Sequence, residues 1–330
     1  MTTIERDLAV IGAGPSGLYA AYYAGFRGMS SAILDSLPEP GGQIAAMYPE
    51  KPIYDVAGFP AVKGRDLVAG LVEQAARFEP TYVLDERAKT MSRDEDGTIA
   101  IGTESGTTVR ARALIISGGI GTFTPRPLPA GDEWLGRGLA FFVPSLEAHA
   151  DQDVVVVGGG DSACDWALSL EDIARTVTLV HRRARFRAHA HTVERLHASS
   201  VEVITDAEVT RLFGTGRVDR AEITARDGTT AIRSAHAVIA ALGFTANLGP
   251  IREWGVEIVG NRYISVDTTM ATNLPGVYAA GDITDYPGKV RLISVGFGEA
   301  ALAVNNAAVQ VNPDEQLFPG HSSDTQPVPA

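Results

Sequence analysis

Cysteine is almost missing: Cys164 is the only one in 330 residues. That excludes an intramolecular disulfide and any cysteine-built metal cluster, and it fits a reducing, cytoplasmic setting. Positive charge is also scarce, with 28 Lys and Arg against 40 Asp and Glu and a net charge of -12. No broad basic surface is left to neutralise a phosphate backbone, so nucleic acid is not expected as a partner. No apolar run reaches membrane-spanning length, and the N-terminus shows neither a basic n-region nor an apolar h-region. Membrane insertion and secretion are therefore not expected. The seven histidines are scattered without metal-ligand spacing, so no metal is expected. What remains, 45% hydrophobic and 21% charged, is the composition of an ordinary globular core, at a length that suits two domains.

The most informative stretch present runs from Asp7 to Asp35. An apolar run, Leu8 to Ile11, leads into Gly12, Gly14 and Gly17 in G-x-G-x-x-G spacing, then an Ala- and Tyr-rich segment and a second apolar run, Ala32 to Leu34. This reads as strand, tight turn, helix, strand. Gly12 permits the turn, Gly14 lets a backbone approach a pyrophosphate, and Gly17 lets the helix lie close on the strand. Pro15 suits the first helical position, and with Ser16 it opens a helix whose free N–H groups face the phosphates. Asp35, 23 residues beyond Gly12, stands where an acid can accept hydrogen bonds from a ribose.

Downstream, the segment from Met47 to Pro60 reads as an ordered loop with aromatic contact surface. Arg65 to Phe78 has helical periodicity. Tyr82 to Leu84, Thr98 to Gly102 and Thr107 to Arg112 read as a small antiparallel sheet, and Ala113 to Ser117 as a separate buried strand. The pattern then returns: Val154 to Val157, Gly158-Gly-Gly-Asp-Ser-Ala163, a helix to about Ala174, and a strand Val177 to Val180 ending at His181. His181 stands 23 residues beyond Gly158, the same offset as before. Where the first unit has a carboxylate, this one has His181, Arg182 and Arg183, with Arg187 close behind. An acid would repel a 2′-phosphate, whereas guanidinium groups bind one through charge-assisted hydrogen bonds. The second unit is thus expected to hold NADPH in preference to NADH at Gly158, Gly160, Asp161, Ser162 and Ala163, the last a permitted replacement for the third glycine. Val201 to Ile204, Val218 to Thr224 and Ala237 to Ala241 read as its remaining strands, and Gly243 as the return. Val277 to Ala279 is a strand leading to Gly281-Asp282, followed by a helix from about Gly298 to Val311 that opens with Glu299.

With both units placed, the chain resembles the two-dinucleotide-binding-domain flavoproteins of the thioredoxin reductase superfamily, and among them the thioredoxin-reductase-like ferredoxin–NADP⁺ reductases. The stretches that carry the likeness are Gly12 to Gly17, Tyr48 to Pro60, Gly158 to Trp166, His181 to His189, and Gly281 through Ala307. The resemblance implies an α/β fold of two Rossmann-like three-layer domains, the second inserted in the first: residues 1–119 and 244–330 for FAD, 120–243 for NADPH. It implies Asp35 on the adenosine ribose, with Gln43, Ala88, Phe123 and Asp282 as further FAD contacts. Tyr48 would stack on one face of the flavin. His321, with Ser322 and Ser323, would reach the other face from the second subunit of a homodimer. Thioredoxin reductases proper carry a Cys-x-x-Cys before the second glycine turn, at places held here by Phe141 and Pro144, so a dithiol relay is excluded and Cys164 is expected to be a packed residue.

The activity this implies is hydride transfer from NADPH to flavin N5 after a rotation of the domains, then single electrons to ferredoxin, with no acid–base residue required. The final helix would favour negative charge on reduced flavin. An acidic carrier would need a local basic patch against the overall negative charge; the sequence does not locate it, and Lys51, Lys63, Arg65 and Lys289 are candidates only. Two other readings are compatible with the same residues: an NADPH-dependent flavin enzyme acting on flavodoxin, a quinone or oxygen, and a non-catalytic NADPH-binding sensor.

Overall fold

A computed structural model describes residues 2–321, the side chains of Thr122, Phe123 and Ala246 excepted. The chain forms two compact units, one from the stretch up to Phe123 together with that from Ala246 onward, the other from Thr124–Thr245.

In the first unit the strand Thr3–Ile11 is central. Ser31–Leu34 pairs parallel on one side and Thr108–Ile116 parallel on the other. Leu8, Ala9 and Val10 are fully buried without alternation, as a parallel strand covered on both faces requires. Thr81–Val83 extends the sheet beyond Ser31–Leu34. Thr108–Ile116 is nine residues long and bonds two strands along its far edge. Its first half pairs antiparallel with Ile99–Thr103, and its second half parallel with Val277–Ala279.

Three expectations are corrected here. Thr107 to Arg112 and Ala113 to Ser117 are one strand, because both halves follow Thr3–Ile11 in unbroken register. Thr81–Val83 belongs to the parallel sheet, and its place in the antiparallel ladder is taken by Ala88–Arg93. That strand is exposed or half-buried throughout, so it carries no apolar alternation to reveal it. The last helix runs Ile293–Val311 and begins five residues ahead of Gly298, so Glu299 lies inside it. Gly296 and Gly298 make its opening read as a loop. A Cβ on Gly296 would stand 2.4 Å from Ser16 Oγ, so that glycine is there for close approach to the first helix. The two helices pack together, and Ala20, Ala21 and Ala24 on one and Ala300, Ala303 and Ala307 on the other are fully buried in the same core.

The C-terminal segment is tied back by Arg27, whose side chain is 2% exposed. Its guanidinium donates to Asn305 Oδ1 (2.5 Å), Glu315 Oε2 (2.8 Å) and the carbonyls of Gln316 (2.8 Å) and Leu317 (2.9 Å).

The second unit has a five-stranded parallel sheet in the order Leu139–Ala140, Ala237–Ala240, Asp153–Val157, Thr176–His181, Glu202–Thr205. Its helix Asp161–Leu170 is a turn shorter than the sequence suggested. A three-stranded antiparallel sheet adds Ala207–Thr215, Arg217–Ala225 and Thr230–Ser234, of which only the middle strand is among those read from the sequence. The core joins both sheets, through Val155, Val238 and Leu139 on one and Val209, Leu212 and Ile223 on the other.

Both units repeat one register. Ile11 stands opposite Leu34 and Val157 opposite Val180. Gly12 N–H donates to the Leu34 carbonyl at 2.8 Å, and Gly158 N–H to the Val180 carbonyl at 3.0 Å. Asp35 and His181 therefore occupy equivalent places, one residue beyond paired positions.

Candidate functional site

In the first unit the chain turns on Gly12, whose φ of +103° belongs to the region favouring glycine. A Cβ there would meet the Ser117 carbonyl oxygen at 2.5 Å. The helix starts at Pro15 with Gly14 as its cap, and no side chain covers its first N–H groups. Those donors and the positive end of the helix dipole are left for a ligand. Gly17 faces the other way: its Cβ would stand 1.8 Å from the Gly12 carbonyl oxygen, so it serves packing alone.

A cavity of about 520 Å³ opens at this turn. Of the residues named from sequence, Gly12, Gly14, Pro15, Ser16 and Asp35 line it at one side. Gln43, Tyr48, Ala88 and Asp282 complete that set. Gly17 does not line it, the side chain of Phe123 and all of Ser322 and Ser323 lie outside the described residues, and His321 is exposed beside Phe318, its ring edge-on at 5.2 Å. Sequence reasoning missed further walls. Gly42, Gly118 and Gly119 bring bare backbone to the cavity, and Ile251 and Trp254 bring apolar surface. Gly42 and Gly119 lie in glycine pairs that read only as loop, whereas nothing local in the sequence marks Trp254.

Asp35 is engaged at both carboxylate oxygens. Its Oδ2 accepts the Ala13 N–H at 2.6 Å and its Oδ1 the Leu37 N–H at 2.9 Å. The carboxylate thus pins the glycine turn to the end of the second strand, with lone pairs to spare. Burial raises its pKa, against the lowering by these backbone donors. Asp35→Ala should loosen the turn as well as remove the acid expected from the sequence to meet the ribose. FAD affinity is expected to fall about 10- to 100-fold, the worth of one charged hydrogen bond, as measured by fluorescence titration of the apoprotein.

Tyr48 ends the short helix Gly42–Met47. Burial, then the charges of Asp282 and Asp55, push its phenol up to about 12, so it stays protonated at every physiological pH. The loop after it forms the hairpin Pro52–Ile53 with Val62–Lys63 and leaves Tyr54 71% and Phe59 48% exposed. Of the basic residues named for docking, Lys63 and Arg65 both pair with Glu50, at 3.2 and 2.5 Å. Lys289 is corrected outright: its side chain is 2% exposed and pairs with the equally buried Glu299, so it presents no charge at a surface.

In the second unit a Cβ on Gly158 would meet the Ala241 carbonyl oxygen at 2.4 Å, while one on Gly160 would meet nothing within 4 Å. Gly158 and the buried Ala163 therefore set the packing of the turn, and Gly160 is the open point of approach. Ser162 is exposed at the start of the helix. Asp161 is partly committed, since its Oδ1 accepts the His189 N–H at 2.9 Å.

His181, the counterpart of Asp35, is 9% exposed and tucked over Gly159, its Nε2 3.3 Å from the Arg185 carbonyl oxygen and its ring 5.1 Å from Phe186. Burial, then the neighbouring arginines, lower its pKa. It stays neutral and acts as a wall, which departs from its expected place in a cationic cluster. The charge is carried by Arg182, Arg183 and Arg187, all exposed and, among the described residues, without an ion-pair partner. Arg187 is drawn to the turn by its own N–H, which donates to the Gly159 carbonyl at 2.7 Å.

This double arrangement has a recorded counterpart. A family model described as pyridine nucleotide-disulphide oxidoreductase matches residues 6–307. The chain belongs to the pyridine nucleotide-disulphide oxidoreductase family. Among its relatives, a ferredoxin–NADP reductase of a Nocardioides species is 63% identical over 97% of this chain and 98% of its own. One of the same name from Thermus thermophilus is 47% identical over 98% of each. Among solved structures, a thioredoxin reductase of T. acidophilum superposes with a TM-score of 0.75 at 26% identity, covering 94% of this chain and 98% of its own.

The family name includes disulphide chemistry, and this member lacks the means for it. Its one cysteine, Cys164, is fully buried, and burial pushes the thiol up to about 11. Phe141 and Pro144 hold the places expected for a thiol pair. Among the described residues no cluster of His, Cys, Asp and Glu could hold a metal ion, and no helix is long and apolar enough to cross a membrane.

Proposed function

We propose that this protein moves electrons between NADPH and ferredoxin by way of FAD, as a cytoplasmic homodimer. The observation that carries the reading is the repeated register with unlike chemistry at its end: a carboxylate after the first glycine turn, free guanidinium groups after the second. The residues fit the group. Around the first turn, Gly12, Gly14, Gly42 and Gly119 bring bare backbone to the cavity, next to an uncapped helix start and an acid with unused lone pairs. The relatives named ferredoxin–NADP reductase, alike over nearly their full lengths, support the same assignment.

On this reading residues 1–119 and 244–330 hold FAD and 120–243 hold NADPH. Bound FAD supplies the step from a two-electron donor to one-electron release. The protein's own residues bind, orient and shield. The backbone of Gly14 and Ser16 at the helix start would face the pyrophosphate, Asp35 would accept from the ribose, and Gln43, Ala88 and Asp282 would fix the remainder. Tyr48 lies against the ring system as a neutral phenol and holds its proton. His321 of the second subunit would cover the opposite face, with Ser323, which lies outside the described residues, expected beside it. Arg182, Arg183 and Arg187 grip the 2′-phosphate, and Gly160 admits the pyrophosphate of NADPH.

Anaerobic titration of the purified protein with NADPH, followed by ferredoxin, tests the reading. The yellow absorbance should bleach with NADPH and return as ferredoxin is reduced. Flavodoxin and a quinone in parallel cuvettes test the acceptor. A colourless protein that takes up no added FAD would overturn it.

A further inference from the structure

One buried ionic cluster is unused by the function above. Glu299, 3% exposed, accepts the Gly281 N–H at Oε2 (2.7 Å) and the Tyr286 hydroxyl at Oε1 (2.6 Å). Lys289 donates to Glu299 Oε1 and to the Gly281 carbonyl, the latter at 3.0 Å. Thr284 Oγ1 donates to that carbonyl too, at 2.9 Å. The ion pair therefore holds both polar groups of one residue, the N–H through its anion and the C=O through its cation.

Gly281 is a place where holding matters. It lines the cavity directly before Asp282, with a φ of +84° in the region that favours glycine. A Cβ there would meet Ser16 Oγ at 2.8 Å, and one on Gly296 would meet the same oxygen, so the peptide is confined between the first and last helices. Neutral partners could satisfy one N–H and one C=O. Charged ones make both bonds shorter and about twice as strong. A buried ion pair seldom adds net stability over an apolar pair, so its retention calls for another reason. The charged groups facing Asp282 are Lys289 and Arg291, which favour its carboxylate, and Glu299, which opposes it.

We infer that Lys289 and Glu299 are positioning residues: as a clamp on the Gly281 peptide they set where Asp282 meets FAD. The inference rests on the functional reading above and adds to it a means by which residues that do not line the cavity tune the cofactor. It also makes an electrical prediction, because breaking the pair from either end leaves a buried charge of known sign behind the cavity wall.

The test compares holoenzyme of wild type, Glu299→Gln, Lys289→Met and the double variant. Four quantities are read: the FAD dissociation constant, the visible spectrum, the midpoint potential of the bound flavin and the melting temperature of the apoprotein. Each single change should weaken FAD at least about tenfold, the lower end for a charged hydrogen bond. Glu299→Gln should raise the midpoint potential and Lys289→Met lower it. The double variant should stay weak for FAD while its potential returns toward wild type. The inference is overturned if Glu299→Gln, the near-isosteric change that carries the test should Lys289→Met not fold, keeps its FAD affinity within about twofold, whatever its melting temperature. Potentials that move together in the two single variants would overturn it as well. Wild-type protein that takes up no FAD sinks the functional reading and this inference together; wild type that holds FAD beside a variant that holds it equally sinks the clamp alone.

Discussion

Gly17→Ala is expected to unfold the first unit's glycine turn, while Gly14→Ala, three residues away, leaves the apoprotein intact. The added Cβ at Gly17 would lie 1.8 Å from the Gly12 carbonyl oxygen and 2.7 Å from Ser117 Oγ. Neither can yield, since the first is backbone at the end of the central strand and Ser117 Oγ bonds the Ile11 and Gly12 carbonyls at 3.0 and 3.1 Å. The helix must lift off the sheet, and a core that includes the fully buried Leu18, Ala20 and Ala21 opens with it. A loss of about 3 kcal/mol or more follows, at the upper end for overpacking. At Gly14 the nearest atom to a new Cβ is Gly42 Cα at 4.0 Å, an ordinary contact. There the loss should fall on FAD affinity, because Gly14 lines the cavity. Thermal unfolding of the two apoproteins, with FAD titration of each, separates packing from ligation. Equal melting temperatures would show that the close packing at Gly17 is misjudged.

The second large effect concerns the nicotinamide cofactor. Replacing Arg182, Arg183 and Arg187 together by alanine should cut kcat/KM for NADPH by about 100-fold or more and leave NADH within a fewfold. Each charged contact to a phosphate is worth about 1.5–3 kcal/mol, and only NADPH carries the extra phosphate. The three side chains are exposed and pair with no carboxylate among the described residues, so their removal should hardly touch folding. Steady-state kinetics with both cofactors, at fixed ionic strength because such contacts are screened by salt, checks the prediction. Equal losses for NADPH and NADH would remove the phosphate role. His181→Asn serves as a control, since a buried neutral ring should affect stability and not the ratio.

How much of this was legible in the sequence follows from how local each signal is. The two glycine turns, their helices and the 23-residue offset are short-range features, and the structure repeats them bond for bond, Gly12 to Leu34 and Gly158 to Val180. The gathering of Asp35, Gln43, Tyr48, Ala88 and Asp282 around one cavity was reached through resemblance, because nothing in their spacing brings them together. The failures have physical causes. Ala88–Arg93 has no buried face to alternate with, so it gives no strand pattern. The opening of the last helix was hidden because Gly296, a poor helix former, is required there by the approach of Ser16. Lys289 follows Pro287 and Gly288 and reads as an exposed loop residue, and only the fold shows it closed over by Glu299. A buried ion pair ten residues apart leaves no periodic trace.

The strand Thr108–Ile116 carries one more consequence, for how the protein is made. The neighbour of its second half, Val277–Ala279, leaves the ribosome only after the whole of the second unit. At about 5–20 residues per second, the edge of Leu114, Ile115 and Ile116 waits roughly ten seconds or longer for its partner. During that interval the inserted unit has all of its chain and can fold, while the surrounding one holds a greasy, unpaired margin open. Nascent chains stalled between the two units should therefore be the aggregation-prone species, and the ones that recruit chaperones.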